Sequence, residues 1–180
     1  MKKLLLTLTL LISVVSFGQT ATENLLKKFG TDYRTALVYF ESGNEKFAAK
    51  DYYGAISDYN KSIKLYPNPI AFYNRGNSKD ALKNYSGAIS DYNKAIEGDP
   101  NYADAYYNKA RSKTMLKDYY GAISDYTKSL ELNPNDATAY TSRGMQKFYL
   151  GDLTGACADC KKAARLGHKN AAKWVASNCN

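Results

Sequence analysis

The chain has 180 residues, 44% of them hydrophobic, and a formal charge of +8. That length suits one domain of ordinary size with a buried core, and the composition excludes a chain too polar to fold. A single histidine leaves no multi-histidine metal site, and only four prolines leave room for long helices.

Lys2 and Lys3 give a basic start, followed by an apolar run from Leu4 to Phe17 and then Gly18. This is the layout of a secretory leader, expected to end between Gly18 and Gln19. The run is too short for a bilayer, which takes about 20 residues. No Cys follows it, so a lipid anchor is not expected. Loss of Lys2 and Lys3 lowers the charge from +8 to +6. The expected location is periplasmic or extracellular.

Four segments then repeat: Gly54-Ala-Ile-Ser-Asp-Tyr59, Gly87-Ala-Ile-Ser-Asp-Tyr92, Gly121-Ala-Ile-Ser-Asp-Tyr126 and Gly155-Ala-Cys-Ala-Asp-Cys160. A fixed period near 34 residues marks a solenoid of helical hairpins. Pro67, Pro100 and Pro134 keep the same phase, each followed by Asn. The chain divides into a leader over 1–18, a lead segment over 19–35, hairpins over 36–68, 69–102, 103–136 and 137–170, and a capping helix over 171–180. Within a hairpin, Asp51, Asn84, Asp118 or Asp152 is expected to cap the second helix. A further short helix is expected over Glu23 to Phe29, with Gly30 and Thr31 leading into the first hairpin.

Small residues keep phase too. Gly43, Gly76, Ala110 and Gly144 lie midway along the first helices, and Ala55, Ala88, Ala122 and Ala156 near the start of the second. Residues without bulk let two helices approach closely. Large residues fill between them: Tyr39, Phe72, Tyr106 and Tyr140 on first helices, Tyr59, Tyr92 and Tyr126 on second helices. Asp58, Asp91, Asp125 and Asp159 recur once per hairpin, and this repetition reads as a solvated helix face and not as catalytic carboxylates.

This pattern resembles the tetratricopeptide repeat family over about three quarters of the chain. The resemblance implies an all-α, right-handed solenoid of four hairpins. It also implies a concave groove, lined by first helices, that holds a peptide or helix. Carried over by position, the groove offers Phe40, Asn44, Tyr73, Asn77, Tyr107, Arg111, Thr141 and Met145, flanked by Asn74 and Asn108. Asn side chains suit a partner's backbone, and Tyr supplies flat contact area. Chaperone-binding members grip a terminal carboxylate with Lys and Arg plus two Asn. Asn44 and Asn74 match the Asn places, but the basic places hold Phe40, Asp104 and Asn108. One repeat along they hold Tyr73, Thr138 and Ser142. That activity is therefore not expected. The family often carries Leu where Ser42, Arg75, Lys109 and Arg143 stand here, which implies looser or wetter first-helix packing.

The C-terminal end differs from the rest. Cys160 replaces the repeated Tyr, and Trp174 is placed by the period at the Phe72, Tyr106 and Tyr140 position, capping the stack. Cys179 stands level with Cys157 and Cys160 on the preceding helix, and either is within reach. The pair Cys157–Cys179 is favoured because Cys160 points into its own hairpin; three free thiols are the alternative. Seven Lys or Arg against two Asp after Ser142 make this end basic, suited to an acidic partner or a peripheral contact with anionic lipid. The function expected is a non-catalytic adaptor of the cell envelope that binds a protein or peptide, with no cofactor, metal or nucleic acid. A thiol or redox protein using Cys157 and Cys160 is the alternative, and a partnerless spacer a third.

Overall fold

The computed structural model describes Lys27 and residues 30–179, and every regular element among them is an α-helix. The leader expected over 1–18 lies outside the described residues, as does most of the short helix expected over Glu23 to Phe29. Helix α1 covers 30–48. Then come α2 (Tyr52–Leu65), α3 (Pro69–Ala81), α4 (Tyr85–Gly98), α5 (Ala103–Met115), α6 (Tyr119–Leu132), α7 (Ala137–Tyr149), α8 (Leu153–Arg165) and α9 (Lys169–Asn178). Each helix packs on the one before it, giving a solenoid of hairpins closed by α9. Gly30 and Thr31 do not lead into α1 but belong to it.

The turn inside each hairpin is fixed by one side chain. Asp51, Asn84, Asp118 and Asp152 accept from the backbone N–H of Gly54, Gly87, Gly121 and Gly155, at 2.8–3.0 Å. This satisfies a donor that a helix start leaves without a partner. The repeated Gly follows from that contact, because a Cβ there would run into the capping group. Three of these turns also hold a lysine in the left-handed region: Lys50 (φ 63°), Lys83 (φ 61°) and Lys117 (φ 62°). In the fourth turn the residue is Gly151.

Inside each of the first three hairpins a tyrosine of the second helix lies against a small residue of the first, and in the fourth Cys160 faces Gly144. A Cβ on Gly43 would stand 2.6 Å from the Tyr59 ring, and one on Gly76 would stand 2.7 Å from the Tyr92 ring. Both rings are buried.

The recurrent aspartates are not on a solvated face. Asp58, Asp91, Asp125 and Asp159 are 2–6% exposed. Each is held by cations of its own first helix. Arg75 clasps Asp91 through Nε at 2.8 Å and Nη2, and Lys79 adds a contact at 2.8 Å. Arg143 with Lys147 does the same for Asp159, and Lys109 with Lys113 for Asp125. In the first hairpin Lys46 and Ser42 serve Asp58 from α1, and Lys61 from its own helix. The places where Leu is usual are thus charged at Arg75, Lys109 and Arg143 and hydroxyl-bearing at Ser42, because the second helix supplies a carboxylate opposite each. The interior is paired, not loose. The Lys46 hydrogen bond holds the Asp58 carboxyl down at about 2. A depressed carboxyl pKa stabilises the fold above the unfolded value near 4, and that stabilisation is lost as pH falls through about 2.

At the C-terminal end the repeat period breaks. Four residues, 133–136, join α6 to α7, but only three, 166–168, join α8 to α9, and α8 is one residue shorter than α6. The His168 ring accepts from the Ala171 N–H, so α9 starts two residues early. Ala171 therefore takes the buried place of Ala71, Ala105 and Ala139. Trp174 consequently lands at the Asn74, Asn108 and Ser142 place, not at that of Phe72, Tyr106 and Tyr140. It meets Phe148 edge-on at 5.6 Å and packs on the cluster of Cys160, Ala163 and Ala171. A large residue reaching in from α9 accompanies the small Cys160 that replaces the repeated Tyr.

A buried carboxylate stripped of its partners, or cations stripped of theirs, costs far more than replacing the whole set with apolar groups. Asp91→Ala is expected to lower unfolding stability by about 3–5 kcal/mol in urea melts. Arg75→Leu with Asp91→Leu is expected to lose much less. Equal losses in the two variants would show that the pair does not set the hairpin interior.

Candidate functional site

The first helices line one face of the solenoid, and their side chains there are anchored on the buried tyrosines behind them. Phe40 leans on Tyr59 with centroids 6.0 Å apart, Tyr73 on Tyr92 at 5.9 Å, and Tyr107 on Tyr126 at 5.4 Å. Tyr73 also packs on Tyr102 at 4.7 Å. These are favourable aromatic separations, and they leave the front rings half-buried.

A hydrogen-bond relay runs from the core to this face. The Tyr59 phenol donates to Asn44 Oδ1 at 2.8 Å, and Asn74 Nδ2 donates to the same oxygen at 2.9 Å. One repeat on, Tyr92 donates to Asn77 Oδ1 at 2.8 Å, and Asn108 Nδ2 donates to it at 3.0 Å. Asn108 Nδ2 also reaches the Tyr73 hydroxyl at 2.9 Å. An oxygen that accepts two donors fixes which way its amide faces. The Asn44 and Asn77 oxygens are therefore occupied within the relay.

Asn44, Asn74 and Asn77 come together around one open pocket, completed by Tyr59 and Phe47. A second, open hollow lies between α1, the end of α2 and the start of α3, with Tyr33, Leu37, Phe40, Tyr66 and Ile70 on its walls. The first is rich in amide donors and the second is apolar. Among the described residues, neither wall carries a charged side chain.

The other residues picked from the sequence are placed differently. Arg111 is spent on Asp80, with Nη2 at 2.6 Å from Oδ2, and Ser112 holds the other oxygen at 2.6 Å. Thr141 turns its hydroxyl onto Ala137 of its own helix at 2.9 Å. Met145 is half-buried on α7, away from the relay. The site thus concentrates in the first two repeats. Sequence reasoning missed Phe47, Asp80 and Tyr102. Tyr102 carried a signal: it stands at the N-cap place held by Asn68 and Asp136, yet cannot cap α5.

The cysteines lie elsewhere. Cys157 is joined to Cys179, with Cα atoms 5.7 Å apart, next to an open hollow lined by Leu153 and Lys161. Cys160 is a buried thiol whose pKa is pushed up by burial. Cys157 and Cys160 do not pair with each other, so the structure contains no C-x-x-C disulfide.

Residues 103–136 match the model described as tetratricopeptide repeat, and residues 81–112 match one described as TPR repeat. No protein of curated function matches the chain in sequence. Among solved structures, the chain is similar to the first TPR of Spaghetti (RPAP3) bound to the HSP90 peptide SRMEEVD. The two are 32% identical over 66% of this chain and 95% of that one, with a TM-score of 0.65. It is similar to the MamA protein at 26% identity over 73% of each chain, with a TM-score of 0.71. It is also similar to the Arabidopsis OM64 TPR domain at 25% identity over 66% of this chain and 98% of that one, with a TM-score of 0.64.

Burial pushes the Tyr59 hydroxyl up to about 12, and burial with the neighbouring Tyr73 does the same for Tyr102. Burial also raises Tyr92 and Tyr126. A raised tyrosine pKa stabilises the fold fully below the unfolded value near 10, and that stabilisation is lost as pH rises through the folded value. A tyrosinate absorbance titration is expected to show the rings of Tyr59, Tyr92, Tyr102 and Tyr126 ionising above the ordinary tyrosine value of about 10. Their ionisation should come together with loss of helical ellipticity. One transition near 10 for all tyrosines, with helicity retained, would contradict the buried relay.

Proposed function

The chain belongs to the tetratricopeptide repeat family, and from that membership we propose that it is an exported adaptor of the cell envelope that holds an uncharged, extended peptide segment across its first two repeats. The family itself carries a protein-interaction module on a scaffold that is generally non-catalytic. No helix among the described residues is long and apolar enough to cross a membrane. Export is supported by the basic start and apolar run that precede Gln19.

The observation that carries the reading is the orientation of Asn44 and Asn77. Their oxygens are held by Tyr59, Asn74, Tyr92 and Asn108, which leaves their NH2 groups as donors at the pocket. Donors aimed from a fixed frame suit peptide carbonyl oxygens, since the cost of ordering them is met on folding. The adjoining apolar hollow suits a large apolar side chain of the same segment. The similar RPAP3 domain is bound to an acidic peptide, SRMEEVD. This chain places Phe40, Asp104 and Asn108 where cations would be needed to hold a terminal carboxylate. The ligand class therefore differs: neutral where that one is acidic, and read through its backbone.

Asn44→Asp and Asn77→Asp test this directly. Each keeps the acceptor oxygens that the relay needs and removes the NH2 donors. Fluorescence anisotropy with neutral peptides carrying one large apolar residue is expected to give Kd values raised about tenfold per substitution. The melting temperature should change little. Unchanged affinity in the double variant, or stronger binding of peptides ending in an acidic residue, would remove the reading.

A further inference from the structure

The turns inside the hairpins all lie along one edge of the solenoid, and that edge has an unusual surface. Tyr53 and Tyr120 are 76% and 77% exposed, and Leu116, Tyr149 and Leu153 project beside them. Most of the large apolar side chains that the described residues leave exposed stand along this edge or at the open side of α1.

Three lysines share the edge. Lys50, Lys83 and Lys117 occupy the same place in successive turns, each exposed and each with φ near +62°. A side chain with a Cβ is strained there, and glycine is not, as the fourth turn illustrates with Gly151. The same strained lysine, three times over, is a reason to look for what the lysine does. None of the three is ion-paired among the described residues.

The edge is also positive behind its tips. Each buried aspartate holds two cations, and the ones nearer the turns are Lys46, Lys79, Lys113 and Lys147. Within each of these buried clusters the cations therefore outnumber the carboxylate by one. The carboxylates of Asp51, Asp118 and Asp152 lie on the edge too, but they are bound to helix-terminal N–H groups, where the helix dipole offsets them.

The geometry points to this turn edge as a docking surface for an anionic lipid bilayer. The lysines meet the headgroup charge, and the tyrosines lie at the boundary with apolar bodies inward and hydroxyls outward. Projecting rings favour a lipid surface over a protein, because a fluid surface closes round each ring while a protein would need a matching hollow for each. The peptide groove lies on the first-helix face, so both contacts are compatible in one molecule.

Vesicle flotation of the full chain tests this, with phosphatidylcholine vesicles and with vesicles doped with phosphatidylglycerol. The N-terminal 18 residues are the same in every arm, so differences between arms report the edge. The wild type is expected to float with the doped vesicles, less so as salt is raised, and to partition weakly onto phosphatidylcholine alone. The variant K50G/K83G/K117G relaxes all three turns while removing the charges. It should melt no lower than the wild type yet partition roughly a hundredfold less, about fivefold per lysine. Tyr53→Ser with Tyr120→Ser should weaken partition with the charge unchanged. The inference is overturned if the triple variant floats like the wild type. It is overturned equally if the loss follows Lys161→Glu, Arg165→Glu and Lys169→Glu instead, or if the edge binds polyglutamate while ignoring doped vesicles.

Discussion

The phenols of Tyr59 and Tyr92 cross their hairpins from the second helix to the first, and the groove depends on where they end. Each ring fills the space that Gly43 or Gly76 leaves open, which sets how closely the two helices approach. Each hydroxyl then passes between the helices to an asparagine oxygen on the groove side. A buried hydroxyl without a partner costs about 1–3 kcal/mol, so the asparagine is held as firmly as the ring. Packing inside the hairpin thereby determines which atoms the outer face presents.

The same dependence explains why the four repeats are unequal. In the third repeat Arg111 replaces the groove asparagine and is drawn to Asp80 of the repeat before. In the fourth, Cys160 replaces the tyrosine, and no phenol crosses. That hairpin is completed from outside by Trp174, on a helix bound to α8 through Cys157 and Cys179. The N-terminal half is organised to present polar groups, and the C-terminal half to close the stack.

Much of the architecture was legible because it is written four times. The Gly-Ala-Ile-Ser-Asp-Tyr phase, the capping residues and the prolines all point to the same hairpin. What was not legible was pairing between residues far apart in sequence. Asp91 looks like a surface residue until Arg75, sixteen positions away, is seen to face it. Read alone, each arginine at a usual leucine place looks like a defect. Together with the aspartate it is a substitution of one interior for another. The place of Trp174 was missed for a different reason. Extrapolating the period assumed that α8 and its turn kept their length, and they lose two residues between them. Within the groove, residue types singled out the asparagines, but only the hydrogen bonds reveal that their oxygens are already used.

The claim most exposed to test is that Asn44 and Asn77 present fixed NH2 donors to a peptide. Side-chain amide resonances in a nitrogen-edited NMR spectrum report on these groups directly. On titration with a neutral, apolar-anchored peptide, the account predicts that the Asn44 and Asn77 NH2 signals shift furthest among the side-chain amides, with Asn178 unmoved. Shifts confined to α8 and α9, or an unperturbed pair of groove asparagines in the bound state, would contradict it.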